Sequence, residues 1–105
     1  MLDLDSRYLA IIRKILGEKI PDQTVWVYGS RIKGASHEGS DLDLVILPSK
    51  TAITEKQFSE LREALSESNL PILVDIVDWT TIPDIFRREI EKKHVILQQP
   101  KKKSD

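Results

Sequence analysis

Two short motifs in this chain carry residues that can do chemistry together. The first is Gly29-Ser30, which directly follows a β-branched and aromatic segment. A glycine at the end of a strand allows a sharp turn and lets the backbone approach a ligand closely. A serine at the start of a turn or helix offers a hydroxyl and free N–H groups to an anion. The pair therefore predicts a turn that binds phosphate.

The second motif, Asp41-x-Asp43, follows after ten intervening residues and enters another apolar segment. Side chains alternate along a strand, so the two carboxylates share one face with their Cα atoms about 6.5 Å apart. Carboxylates this close repel each other and resist joint burial. A hard divalent cation, Mg²⁺ or Mn²⁺, relieves that repulsion. Together the two motifs predict a site for a nucleoside triphosphate with its metal.

A third carboxylate is expected from the strand predicted over residues 72–78, where Asp75 and Asp78 lie on opposite faces. Asp75 is in mid-strand between apolar neighbours, where a carboxylate is costly unless it is paired or bound to a metal. Asp78 ends the strand, where solvent or a helix N-terminus can satisfy it. We therefore favour Asp75 as the third ligand. Three carboxylates on adjacent strands fit a two-metal phosphoryl or nucleotidyl transfer site.

Hydrophobic periodicity and capping signals predict the elements that must position these residues. Thr54 with Gln57 resembles a capping box, the Asp3-x-Asp5 pair is expected to cap the N-terminus of the first helix, and Thr81 is expected to cap the last. The predicted elements are a helix over 4–19, a strand over 24–28, a loop with one short helical turn over 30–40, a strand over 42–47, a helix over 54–67, a strand over 72–78, a helix over 83–93 and an edge strand over 94–97. This order predicts an α/β (α+β) fold: a small mixed sheet with helices mainly on one face. The pattern does not decide which strand pairs are parallel.

The motif resembles the DNA polymerase β-type nucleotidyltransferase superfamily, and in particular the minimal nucleotidyltransferase (MNT) proteins, which contain little beyond the catalytic core. The resemblance spans roughly residues 4–97 and rests on Gly-Ser, Asp-x-Asp and a distant strand Asp in that order. It implies that Asp41, Asp43 and Asp75 bind the metals and act in catalysis. It also implies that the nucleotide is bound by Gly29, Ser30, Arg31 and Ser40.

The resemblance further implies a reaction and a partner. The expected reaction is Mg²⁺-dependent transfer of NMP, foremost AMP from ATP, to a hydroxyl group. The expected acceptor is a tyrosine of a helical HEPN-type toxin, which would make this chain its antitoxin. Two alternatives stay open: an antitoxin that only binds its partner, and the catalytic subunit of a two-chain enzyme that modifies a small molecule or RNA. Few residues are left over for an acceptor pocket, so a helical partner or a second copy should complete the site.

Composition excludes other classes of protein. The chain has 105 residues, no cysteine and a net charge of −1. A disulfide scaffold, a thiolate metal site and strong nucleic-acid binding are therefore not expected. Its apolar segments are far shorter than the roughly 20 residues that span a bilayer. We expect a cytoplasmic protein without a signal peptide, in which residues 1–98 form one domain and residues 99–105 a flexible tail.

Several other side chains have less specific interpretations. Arg31 and Lys33 could reach phosphates, although solvated surface positions explain them equally well. Trp26 and Trp79 are expected to pack within the protein rather than to stack on a nucleotide base. His94 is expected near a helix end, where positive charge is favoured.

Overall fold

The computed structural model describes residues 2–33, 41–50 and 52–100. Ser40 and most of the expected tail lie outside these ranges, so the tail stays a prediction. The elements are α1 (Ser6–Lys19), β1 (Thr24–Tyr28), α2 (Ser30–Lys33), β2 (Leu42–Leu47), α3 (Glu55–Glu67), β3 (Val74–Asp78), a 3₁₀ turn (Trp79–Thr81), α4 (Asp84–Lys92) and β4 (Val95–Gln98). Each predicted helix and strand is present, with boundaries that shift by two residues at most, and the short helical turn predicted after the first strand is α2.

The four strands form one mixed sheet in the order β3-β2-β1-β4. β1 runs antiparallel to both β2 and β4, whereas β2 and β3 are parallel. A parallel pair needs a crossover connection, and α3 supplies it between β2 and β3. The structure thus confirms the mixed sheet and the edge position of β4. It also settles the strand directions that the sequence pattern left open.

One face of the sheet holds the hydrophobic core. Alternate residues of the central strands point to this face, and α1 and α3 cover it. The buried residues from the strands are Val25, Val27, Leu42, Leu44, Ile46 and Ile76, and those from the two helices are Ile12, Leu16, Leu61 and Leu65. We call this side of the sheet the core face.

The other face is covered in part by the 3₁₀ turn and α4. The Trp26 ring lies 5.6 Å from Trp79 in an edge-to-face arrangement and stacks on His94 at 3.8 Å, both measured between ring centroids. Nearer the end of β1, Tyr28 contacts Phe86 of α4 edge-to-face at 5.5 Å. Both tryptophans therefore pack against other side chains, although they are half-buried on this face and lie outside the hydrophobic core. We call this side the open face.

Two of the three predicted helix caps are confirmed. The side chain of Asp5 accepts a hydrogen bond from the Arg7 N–H, and Thr54 forms the expected capping box with Gln57. The third prediction is wrong, because Thr81 belongs to the 3₁₀ turn and α4 follows Pro83. No helix of the described ranges is long and apolar enough to cross a membrane.

The local cause of this error is Asp78. Its carboxylate accepts hydrogen bonds from the Thr80 N–H at 3.0 Å and from the Thr80 hydroxyl at 2.9 Å. The Thr81 hydroxyl donates to the Asp78 carbonyl at 2.8 Å. These bonds tighten the chain into a 3₁₀ turn directly after β3, and the helix starts only beyond it.

Candidate active site

The Gly-Ser motif lies at the point where β1 turns into α2. Gly29 has a φ of +89°, in the left-handed region that side chains with a Cβ rarely adopt. Its carbonyl accepts a hydrogen bond from the Ile32 N–H at 3.2 Å, which closes the turn. Ser30 is the first residue of α2. The predicted turn after the first strand is therefore present.

Two of the three predicted carboxylates, Asp43 and Asp75, lie on the open face in adjacent strands. Asp43 of β2 is the direct neighbour of Asp75 in the parallel pair. On the other side, Asp43 is the antiparallel neighbour of Tyr28 in β1. Asp41 precedes β2 and is exposed. Tyr28, Asp43 and Asp75 lie side by side across three strands, and we call them the catalytic row because the sequence predicts a catalytic role for its two carboxylates.

The two motifs are in direct contact. A Cβ placed on Gly29 would lie 2.5 Å from Oδ2 of Asp43 and 3.4 Å from its Cγ. The carboxylate of Asp43 therefore packs where any side chain at position 29 would have to go. The glycine serves two purposes at once, since it permits the left-handed turn and leaves room for the carboxylate.

Negative charge accumulates along the catalytic row. The pKa of Asp43 is raised above its ordinary value, first by burial and then by the neighbouring charges of Asp75 and Asp41. Burial, together with the charges of Asp43 and Asp75, raises the pKa of Tyr28 to about 12. Both shifts act against ionisation. The row is therefore a place where a bound cation would be stabilised.

The donor set suits a magnesium or manganese ion, although the protein alone does not complete a metal shell. Within the described part of the chain, no group of three or more His, Asp or Glu side chains could hold a metal ion as it stands. Mg²⁺ is commonly bound by one or two carboxylates together with phosphate oxygens of the substrate. The hard carboxylate oxygens of Asp43 and Asp75, beside the glycine turn, fit that mode of binding.

The other predicted nucleotide-binding residues are Arg31 and Ser40. Arg31 is only 7% exposed, so the alternative of a solvated surface residue is wrong. Its guanidinium donates to the Asp3 carbonyl at 3.0 Å, and its own carbonyl accepts from the Asp3 N–H at 2.7 Å. These bonds hold the N-terminal segment against α2. Nucleotide binding by Arg31 stays a prediction, as does binding by Ser40, which lies outside the described residues.

Sequence reasoning missed the aromatic neighbours of the site. The sequence pattern predicts only that Tyr28 ends the first strand, and it does not predict that Tyr28 lies beside Asp43. Residue parity within β1 fixes which side chains share a face, but only the pairing of β1 with β2 shows that this face carries the aspartates. The contact of Tyr28 with Phe86 depends on how α4 packs, and no local pattern encodes it.

Comparison with known proteins agrees with this geometry. The family model described as polymerase beta, nucleotidyltransferase matches residues 11–103. The probable protein adenylyltransferase MntA of Haemophilus influenzae is 45% identical over 101 residues, which is 96% of this chain and 88% of that protein.

Solved structures show the same fold. A chain in the crystal structure of a toxin–antitoxin with AMP-PNP has a TM-score of 0.71 and 25% identity, covering 87% of this chain and 73% of that chain. A chain in the complex of an MNT antitoxin with tri-AMPylated HEPN toxin from Shewanella oneidensis has a TM-score of 0.66 and 19% identity, covering 91% and 73%. The family match spans most of the chain and includes all three predicted carboxylates. This chain belongs to the polymerase beta nucleotidyltransferase family.

Proposed function

We propose that this chain is a protein adenylyltransferase that transfers AMP from ATP to a tyrosine of a HEPN-type partner, and that it thereby acts as an antitoxin. The observation that carries the proposal is the 45% identity to a protein adenylyltransferase over 96% of the chain. The presence of AMP-PNP in a structural neighbour supports an adenine nucleotide as the donor. Because the reaction consumes ATP, we place the protein in the cytoplasm.

The positions of the residues in and beside the catalytic row support a division of roles within the site. Asp41, Asp43 and Asp75 would hold Mg²⁺, and Gly29 with Ser30 would hold the triphosphate. When bound, the metal neutralises charge on the phosphates and on the developing oxyanion. The contact between Gly29 and Asp43 supports this assignment, because it brings the phosphate turn and the carboxylates together.

The transfer itself exchanges a phosphoanhydride bond of ATP for a phosphate ester bond to the tyrosine. The tyrosine oxygen forms a bond to the α-phosphorus of ATP, while the bond from that phosphorus to the bridging oxygen breaks and pyrophosphate leaves with the electron pair. Asp75 is exposed on an edge strand, where it can accept the proton of the attacking hydroxyl. Asp43 and Gly29 contribute by holding the reacting groups in line.

The test is co-expression with a HEPN-type partner, followed by incubation of the purified pair with ATP and Mg²⁺. Intact-mass spectrometry should show the partner gaining whole AMP units with the wild-type chain and none with Asp43→Ala. A partner that is bound and inhibited without any gain in mass, equally by both chains, would establish the binding-only antitoxin. Labelling of RNA or a small molecule in place of the partner would establish the two-chain enzyme.

A further inference from the structure

The N-terminal segment is joined to the residue that directly follows the phosphate turn, Gly29-Ser30. The Asp3 N–H donates to the Arg31 carbonyl at 2.7 Å, and the Arg31 guanidinium donates to the Asp3 carbonyl at 3.0 Å. The peptide groups on both sides of Asp3 therefore bind the same residue. We call these two hydrogen bonds the Asp3–Arg31 clamp.

The clamp is anchored on the hydrophobic core through α1. Only Leu4 separates Asp3 from Asp5, whose side chain caps α1 by accepting a hydrogen bond from the Arg7 N–H at 2.8 Å. Leu4 packs against the core, and α1 covers the core face of the sheet. The backbone of Asp3 is therefore fixed by its neighbours, and it can in turn fix α2.

Arg31 lies among residues that pack against the core. It is only 7% exposed. It lines a cleft of about 600 Å³ together with Leu4 and Ile72, both of which pack against the core. The two carboxylates of the catalytic row lie on the open face of the sheet instead. This placement favours a role for the guanidinium within the protein over direct contact with phosphate.

The phosphate turn needs a contact outside itself to keep one orientation. α2 has four residues, and the bond from the Ile32 N–H to the Gly29 carbonyl closes the turn at 3.2 Å. A helix this short is not stable by itself, since isolated helices below about 12–15 residues are marginal in water. A turn that samples several orientations binds its ligand less tightly, because only the competent fraction binds.

We propose that Arg31 is a positioning residue for the triphosphate: through the clamp to Asp3 it holds α2, and with it Ser30, in the orientation that binds phosphate. The N-terminal segment is then part of the nucleotide site without touching the nucleotide. This inference deepens the proposed function and rests on its placement of the triphosphate at Gly29-Ser30. It replaces the direct contact that the family resemblance implies for Arg31 with an indirect role.

The test breaks each hydrogen bond of the clamp separately. Asp3→Pro deletes the N–H that binds the Arg31 carbonyl, and Asp3→Ala is its matched control, because it also loses the carboxylate but keeps the N–H. Arg31→Met removes the guanidinium and keeps a long side chain that adapts to a buried position.

Binding of AMP-PNP with Mg²⁺, in the absence of any partner, is measured by calorimetric titration. Affinity should be about three- to tenfold weaker in Asp3→Pro than in Asp3→Ala, and weaker by a similar factor in Arg31→Met than in wild type. The double variant Asp3→Pro/Arg31→Met should bind about as weakly as the weaker single variant, because both changes break one clamp.

Two further measurements separate positioning from a general loss of stability. In the nucleotide-free protein, amide hydrogen exchange at Ile32 should speed up in Asp3→Pro and Arg31→Met by more than exchange in β2, an inner strand of the sheet. In AMP transfer, the KM for ATP should rise about three- to tenfold in both variants, while the KM for the partner stays unchanged.

Equal affinity for AMP-PNP in Asp3→Pro and Asp3→Ala would overturn the inference and leave the proposed function intact. Losses that add in the double variant would also overturn it, because Arg31 would then bind the nucleotide independently of Asp3. Should Asp3→Pro fail to fold, Arg31→Met decides, and unchanged exchange at Ile32 in that variant would count against the clamp. A wild-type chain that binds AMP-PNP but transfers no AMP to the partner would instead overturn the proposed function alone.

Discussion

The two faces of the sheet are made by alternate residues of the same strands, yet they do opposite things. On the core face, Leu42, Leu44 and Ile46 of β2 are fully buried beneath helices. On the open face, Asp43 lies between two of them in sequence and is held half-buried beside Asp75. A single strand thus carries both the main hydrophobic contacts and the central carboxylate of the candidate site. Period-two alternation keeps these roles physically separate.

This separation has an energetic consequence. The raised pKa of Asp43 means that its ionised form is less favourable in the folded protein than in the unfolded chain, because of burial and of the charges on Asp75 and Asp41. The catalytic row therefore destabilises the ligand-free protein at neutral pH, and the core face must offset it. Mutations on the two faces should accordingly separate activity from stability.

The largest effect on activity is expected from Asp43→Ala. Removing the central carboxylate of the row should lower AMP transfer by about 10²–10³-fold or more, because preorganised charge at the reacting phosphate is lost. The melting temperature without divalent cations should stay the same or rise, since an unfavourable charge has been removed. Transfer of labelled AMP and differential scanning calorimetry measure the two quantities. Retained activity would show that Asp43 is not in the site.

Leu44→Ala, one residue further along β2, is expected to lower stability and to leave activity unchanged. Leu44 is fully buried, with Val27 and Ile76 as its neighbours on the adjacent strands. Its truncation should lower the free energy of unfolding by about 2–5 kcal/mol through lost burial and a residual cavity. Urea denaturation measures this loss. At a temperature where the variant is still folded, its specific activity should stay near that of wild type; a large loss would mean that the two faces are coupled.

Asp75→Asn and Asp78→Asn sharpen the comparison within β3, where the two carboxylates have opposite parity. Asp75→Asn removes the proposed metal ligand and proton acceptor and should lower transfer by about a hundredfold. Asp78→Asn keeps a side chain that caps turns about as well as aspartate, so activity and stability should change little. Steady-state rates of AMP transfer by both variants show which of the two carboxylates acts in the site. A greater loss in Asp78→Asn would show that the third carboxylate has been assigned to the wrong residue.

Much of this arrangement could be predicted because its signals are local. The bounds of β1 and β2 agree with the prediction, since short β-branched or apolar segments end there at Gly29 and Pro48. Alternation alone separates Asp75 from Asp78, and the strand register confirms this separation. These inferences needed no knowledge of which strands pair.

The parts that could not be predicted depend on contacts between distant segments. Strand order decides that Tyr28 lies beside Asp43, and the return of the N-terminal segment to α2 decides that Arg31 is buried. The cap at Thr81 failed for a local reason instead. Asp78 competes for the same stretch of backbone and forms a tighter turn.

The smallest effects are expected from alanine substitutions at the two described glycines. Gly29 lies in the candidate site and Gly17 lies in a helix, so the two variants compare these regions. Gly29→Ala places a methyl group 2.5 Å from the Asp43 carboxylate at a φ of +89°, so it should cost about 1–3 kcal/mol of stability. It should also lower transfer, because the carboxylate must move.

Gly17→Ala is the control: its methyl group meets nothing within 4 Å, and replacing glycine within α1 should stabilise the protein by about 0.5–1 kcal/mol. Urea denaturation should therefore show lower stability for Gly29→Ala and higher stability for Gly17→Ala than for wild type. AMP transfer should fall only in Gly29→Ala. Equal activity in Gly29→Ala and wild type would show that close packing of Asp43 on the glycine turn is not needed for the reaction.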